Sequence, residues 1–159
     1  MQASVKINRQ FLFQRLSHLI ALGFGSGLAP FAPGTAGTLW AWVAFLLINP
    51  WMTDIAWASV LCGGFALGIW ACDKTGSDLG VQDHGAMVWD EIIAFWLVLW
   101  LIPAGFMWQF WAFVLFRFFD AVKPPPVGWA DRRFKGGFGV MFDDFVAACM
   151  TLLVLAFFK

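Results

Sequence analysis

The sequence predicts an all-α fold: a small polytopic membrane domain with an N-terminal interfacial helix, two membrane-inserted helical hairpins and a final helix. Three observations predict it. Apolar residues make up 61% of the 159 and charged residues only 13%, against roughly 45–50% and about 25% in soluble domains. The apolar residues gather into long stretches, and Lys and Arg fall almost wholly into the polar segments on alternate sides of them. The length suits one domain, residues 1–159. Ten Lys plus Arg balance ten Asp plus Glu, so no overall field draws the chain to nucleic acid, and local charge must carry any chemistry.

The first predicted element covers Phe11 to Leu22. As one helix it gathers Phe11, Leu12, Phe13, Leu16, Leu19, Ile20 and Leu22 on a broad face, with Arg9, Gln14, Arg15, Ser17 and His18 opposite. Such a helix lies in the membrane interface or packs on the protein's own core; the pattern allows both. No secretory signal precedes it, because Lys6, Arg9 and Arg15 interleave with apolar residues and no small-residue cleavage site follows.

Five apolar stretches follow: Leu39 to Ile48, Ile55 to Cys72, Ile92 to Ile102, Gly105 to Phe119 and Phe145 to Phe158. Most are short. Eleven helical residues reach about 16 Å, whereas a hydrocarbon core takes about 20 residues to cross, so tilted or partly inserted helices are expected. The turns Asn49 to Asp54 and Pro103 to Gly105 hold no cation. Two hairpins closed by these turns put the three cation-bearing segments on the cytoplasmic side, with Lys159 across the membrane. Cys62, Cys72 and Cys149 stand in apolar sequence without metal-ligand spacing and read as small buried hydrophobes.

The chemistry lies in the polar segments. Gly23 to Thr38 is glycine-rich and runs into the first long helix, so its N–H groups, around Gly25, Ser26, Gly34 and Thr35, can line an anion cradle; a tight packing turn explains the same residues. Thr35 or Thr38 can cap the next helix or donate a hydroxyl. Asp90 and Glu91 stand at the mouth of an apolar run, where ionised carboxylates need a partner, although helix capping accounts for one of them. Asp143 and Asp144 repeat the arrangement at the last stretch. If these helices are neighbours, four oxygen ligands without His or Cys suit Mg²⁺ rather than zinc. Arg117, Lys123, Arg132, Arg133 and Lys135 either bind an anion or hold lipid headgroups. Metal-binding acids, cations and a glycine-rich loop at one membrane face make an inventory for phosphoryl chemistry on a lipid.

Four blocks carry a resemblance. Gly23-Phe-Gly-Ser-Gly with Pro33-Gly-Thr-Ala-Gly37, Asp83-His-Gly-Ala-Met-Val-Trp-Asp-Glu91, Arg117-Phe-Phe-Asp-Ala-Val-Lys-Pro124 and Gly136-Gly-Phe-Gly-Val-Met-Phe-Asp-Asp144 resemble, in order, the signature blocks of the bacterial phosphatidylglycerophosphatase A family. The resemblance implies a Mg²⁺-dependent, multi-pass enzyme of the bacterial inner membrane. Its reaction would hydrolyse phosphatidylglycerophosphate to phosphatidylglycerol and inorganic phosphate, with the site facing the cytoplasm. In that reading Asp90, Glu91, Asp143 and Asp144 bind metal, Lys123, Arg117 and Arg132 bind the phosphoryl oxygens, and Thr35 and loop amides complete the cradle. Asp83 or His84 acts as acid or base, and Asp83 and Asp120 also match acidic family positions. Two other readings compete. A magnesium-dependent phosphatidyltransferase would also use paired acids but needs a nucleotide-lipid donor site, and a small membrane cation carrier would place its carboxylates deep in the spans.

Overall fold

The computed structural model of the chain describes residues 6–159, and among them every regular element is helical. The predicted N-terminal helix is broken in two. Helix α1 covers Arg9–Gln14 and α2 covers Leu16–Ala21, with Arg15 extended between them (φ −145°, ψ 149°). The break resets the helical phase, and the expected division of faces fails on both sides of it: Phe13 before it and Leu16 after it are exposed, while Ser17 and His18 are buried. His18 is held from both sides. Its ring stacks on Phe11 with centroids 3.9 Å apart, Nδ1 lies 2.9 Å from the Phe11 carbonyl oxygen, and Nε2 lies 3.0 Å from the Asp78 carboxylate.

A 3-10 segment, Gly23–Leu28, leads into α3 (Pro33–Ile48), and the turn Asn49–Trp51 leads into α4 (Asp54–Leu79). Then come α5 (Trp89–Leu101), α6 (Phe106–Val122), α7 (Val127–Arg133) and α8 (Gly136–Ala156). Local sequence sets several of these ends. Pro33 takes the first position of α3, Thr53 caps α4 by accepting from the Ala56 N–H at 3.2 Å, and Gly80 closes α4 at φ 71°. Because α3 starts at Pro33, neither Thr35 nor Thr38 caps it; the Thr38 hydroxyl donates inside the helix to the Gly34 carbonyl at 2.8 Å.

Helix α5 is the axis of the molecule. It packs on α3, α4, α6 and α8, and buries residues around most of its circumference, from Ile92 through Trp96 to Leu99. Within the predicted hairpins, α3 meets α4 where Phe45 stacks on Trp57 with centroids 4.9 Å apart, and α5 packs on α6, but the more extensive packing is of α3 against α5 and of α4 and α6 against α8. A bare backbone brings α8 to α4: a Cβ on Gly137 would stand 1.9 Å from the Ile69 carbonyl oxygen.

Helices α4 and α8 are long and apolar enough to cross a membrane. Their 26 and 21 residues correspond to about 39 and 32 Å, against a core about 30 Å thick. The outer surface is apolar as well as the interior. Val43 and Leu47 of α3, Ile55 of α4, Phe106, Trp111 and Phe118 of α6 and Leu153 of α8 are all exposed, more than a water-soluble monomer ordinarily shows. Helix α5 has only 13 residues and is packed among four neighbouring helices. Of the cysteines only Cys72 is buried; Cys62 and Cys149 lie on the apolar outer surface, contrary to expectation.

Candidate active site

Four helices converge on one polar cavity of about 310 Å³. Its lining includes the carboxylates Asp83, Asp90, Glu91, Asp120, Asp143 and Asp144 and the two cations Arg117 and Lys123. Each side chain arrives for a local reason. Asp90 and Glu91 occupy the first turn of α5, where the helix dipole favours acids. Arg117 and Asp120 lie three residues apart near the end of α6 and so share a face. Asp143 and Asp144 do not open their helix as the sequence suggested: α8 begins at Gly136, placing them two turns inside it.

The acids divide into two groups. Glu91, Asp120 and Asp144 each present one carboxylate oxygen within 4.8 Å of the others, a set that can hold a metal ion. Arg117 lies beside this set, with Nη1 3.0 Å from Glu91 Oε1 and in contact with the Asp120 carboxylate. Glu91 Oε2 and Asp144 Oδ2 are buried without a hydrogen-bond partner. Orphaned anionic oxygens in such a place are costly unless a cation meets them, so the donor set fits a hard divalent ion. Asp143 belongs to the second group: Lys123 Nζ lies 2.6 Å from its Oδ2 and 2.8 Å from Asp131 Oδ1. Asp90 lines the cavity beside both groups, with its Oδ1 buried and unpartnered.

Lys123 ends α6 in the left-handed region (φ 50°, ψ 52°), a conformation that costs a residue with a Cβ about 1–3 kcal/mol. Burial works against its charge, but the hydrogen bonds to Asp131 and Asp143 prevail and hold the ammonium well above the ordinary lysine range. The same hydrogen bond from Lys123 keeps the Asp131 carboxyl below the usual carboxylate range. Asp83, at the cavity's mouth, shifts the other way. Burial of its inner side raises its pKa, Lys123 opposes the rise, and the charges of Asp131 and Asp120 add to it.

Part of the predicted anion cradle reaches the cavity. Ala32, Pro33 and Gly34, at the N-terminus of α3, line it. Gly34 is the point of closest approach, since a Cβ there would stand 2.3 Å from Glu91 Oε1. Gly25 and Ser26 lie elsewhere, on a separate cavity with Arg9 and Phe13, and the Ser26 hydroxyl donates to the Gly23 carbonyl at 2.8 Å. Thr35 and Arg132 are not in the lining; Arg132 is exposed in the last turn of α7. His84 is also outside the lining, and its Nδ1 accepts the Ala86 N–H at 3.1 Å, a contact that shapes the turn before α5. Asp120 was visible in the sequence only as an acidic position of the resembled family, not as a member of the metal group. An acid in the last turn of a helix opposes the helix dipole, and that was the physical signal available.

The family model for phosphatidylglycerophosphatase A matches residues 19–159, which include every residue of this cavity. The chain belongs to the phosphatidylglycerophosphatase A family. It is 42% identical over 146 residues to phosphatidylglycerophosphatase A of Escherichia coli (strain K12), covering 88% of this chain and 81% of the relative. It is 44% identical over 143 residues to the protein of that name from Haemophilus influenzae, covering 87% and 85% of the two. A third relative, a putative phosphatidylinositol-3-phosphatase of Bacteroides thetaiotaomicron, is 43% identical over 147 residues, covering 87% of this chain and 90% of its own. No solved structure matches. The names of all three relatives specify a phosphatase acting on a phosphorylated lipid.

Proposed function

We propose that this protein removes the terminal phosphate of phosphatidylglycerophosphate, releasing phosphatidylglycerol and inorganic phosphate, at the cytoplasmic face of a bacterial inner membrane that it crosses several times. Family membership carries the activity. The grouping of Glu91, Asp120 and Asp144 beside Arg117 is the observation that carries the chemistry. Glu91, Asp120 and Asp144 are the residues that would hold Mg²⁺, with Asp90 and Asp143 flanking them; Asp120 thereby takes a place that sequence reading gave to Asp143. Bound there, Mg²⁺ would supply positive charge to the phosphoryl oxygens and acidify water.

The chain's own residues account for the rest. Arg117 and Lys123 bind phosphoryl oxygens, exchanging carboxylate partners for the substrate's anionic ones. The α3 N-terminus at Gly34 adds free N–H groups and the positive end of the helix dipole. Hydrolysis adds a water oxygen to phosphorus and breaks the P–O bond to glycerol, whose oxygen leaves with a proton. Asp83, raised by burial and standing at the mouth, is placed to deliver that proton. The role first shared with His84 falls to Asp83, because Asp83 lines the cavity and His84 does not. A phosphoinositide headgroup is the second reading, favoured by the 43% identity to the Bacteroides thetaiotaomicron relative.

Phosphate release by the purified protein tests the assignment. Release from phosphatidylglycerophosphate should exceed release from phosphatidylinositol 3-phosphate and phosphatidate, stop on chelation and return with Mg²⁺; turnover indifferent to chelation would remove the metal from the scheme. Single cysteines at Thr53 and Lys135, labelled from each side of sealed vesicles, should react from opposite sides, with Lys135 cytoplasmic.

A further inference from the structure

We infer that the groove between α4, α5 and α8 holds one acyl chain of the lipid substrate, an assignment that rests on the lipid-phosphatase reading above. The groove has a volume of about 540 Å³ and apolar walls, with Cys62 and Phe65 from α4, Leu97 from α5 and Phe145 from α8. One acid interrupts them. Asp90 lines both this groove and the polar cavity, so the two spaces meet at a single side chain in the first turn of α5. From Asp90 the groove follows α5 to Trp100, roughly 15 Å at the helical rise. There Trp100, the last lining residue along α5, donates its indole N–H to Asp54 of α4 at 3.0 Å.

Size alone does not select this groove. A space of about 590 Å³ between α6 and α8, lined by Trp108, Leu155 and Phe158, is as large but shares no lining residue with the polar cavity. Its place beside the polar cavity, across Asp90, selects it. A phosphatidylglycerophosphate whose terminal phosphate lies among Arg117, Lys123 and the acids carries a glycerol and a phosphodiester between that phosphate and its ester-linked chains, which must then leave through apolar surroundings. The groove supplies such an exit beside Asp90, and its aromatic wall, with Phe65 packed edge-on against Phe145, is built for a flexible hydrocarbon. It therefore separates lipid phosphomonoesters from soluble ones, which share the headgroup chemistry but have nothing to place there.

The experiment compares long-chain phosphatidylglycerophosphate with its short-chain, water-soluble analogue on the full-length protein and on Cys62→Trp, which fills the groove from an exposed position away from the acids. The expected result is a loss of kcat/KM of about tenfold or more for the long-chain lipid and no change for the soluble analogue. Equal loss on both substrates, or on neither, overturns the groove assignment. Wild-type protein inactive on both substrates instead rejects the phosphatase reading. A second measurement needs no variant: a phosphatidylglycerophosphate with a photoactivatable group in its tail should label α4 and α5 along the groove, and excess unlabelled substrate should suppress that labelling. Labelling suppressed equally by ordinary phosphatidylcholine would make the groove a general lipid contact and overturn the proposal.

Discussion

Polar side chains occur at both ends of the helical bundle, and the two ends use them differently. At the end formed by the Asn49–Trp51 turn and the α5–α6 connection, each polar group has a neutral or singly charged partner. Trp57 donates to Asn49 at 2.9 Å, Trp42 to Gln109 at 2.7 Å and Trp100 to Asp54 at 3.0 Å. At the other end six carboxylates face two cations, and four of the acids keep a buried oxygen with no partner. The first end ties helices together with satisfied hydrogen bonds. The second holds unspent bonding capacity, which raises the free energy of the empty fold and is tolerable where a ligand repays it.

The largest expected effect comes from setting the two ends against each other. Glu91→Gln and Asp144→Asn should each lower phosphate release by about 100-fold or more; Asp144→Asn should keep or raise thermal stability, because its buried Oδ2 has no hydrogen-bond partner, whereas Glu91→Gln should lower it by taking a charge from Arg117. Trp57→Phe at the opposite end should cost about 2–3 kcal/mol of stability, through the lost hydrogen bond and the cavity left beside Phe45 and Trp96, and leave turnover unchanged. A Trp57→Phe protein as inactive as Glu91→Gln would dissolve the distinction between the ends. A smaller effect sharpens it. Gly34→Ala puts a methyl group onto the Glu91 carboxylate, which must move because the new carbon would stand 2.3 Å from Oε1. Kinetics and thermal melts should show a drop of roughly 10- to 100-fold in rate with little change in melting temperature, since the displaced group is a side-chain end and not a core element.

Much of this active end was legible in the sequence because charge stands out in apolar surroundings. Asp90, Glu91, Arg117, Lys123, Asp143 and Asp144 all announce themselves in that way, and all of them line one cavity. What the chain does not display is register. The hydropathy of Phe145 onward suggested that Asp143 and Asp144 open a helix, whereas α8 starts two turns earlier, where Gly137 packs on the backbone of α4 and donates its N–H to the Asp73 side chain. That shift sends Asp144 to Glu91 and Asp120 and leaves Asp143 to Lys123. Gly25 and Ser26 misled for a related reason: glycine content reports a backbone able to turn, not the cavity toward which it turns. The break at Arg15 was equally hidden, since an amphipathic period counted across it mixes two helices of different phase.

The position of α5 has a bearing on how the enzyme tolerates its surroundings. Membranes vary in thickness with acyl composition and temperature, and a helix in contact with lipid answers by tilting. In the membrane setting proposed above, that response would fall on the perimeter helices, while α5, packed on four neighbours and 13 residues long, would touch hydrocarbon only along the groove it shares with α4 and α8. The carboxylates it carries would thus keep their height when the membrane around them does not.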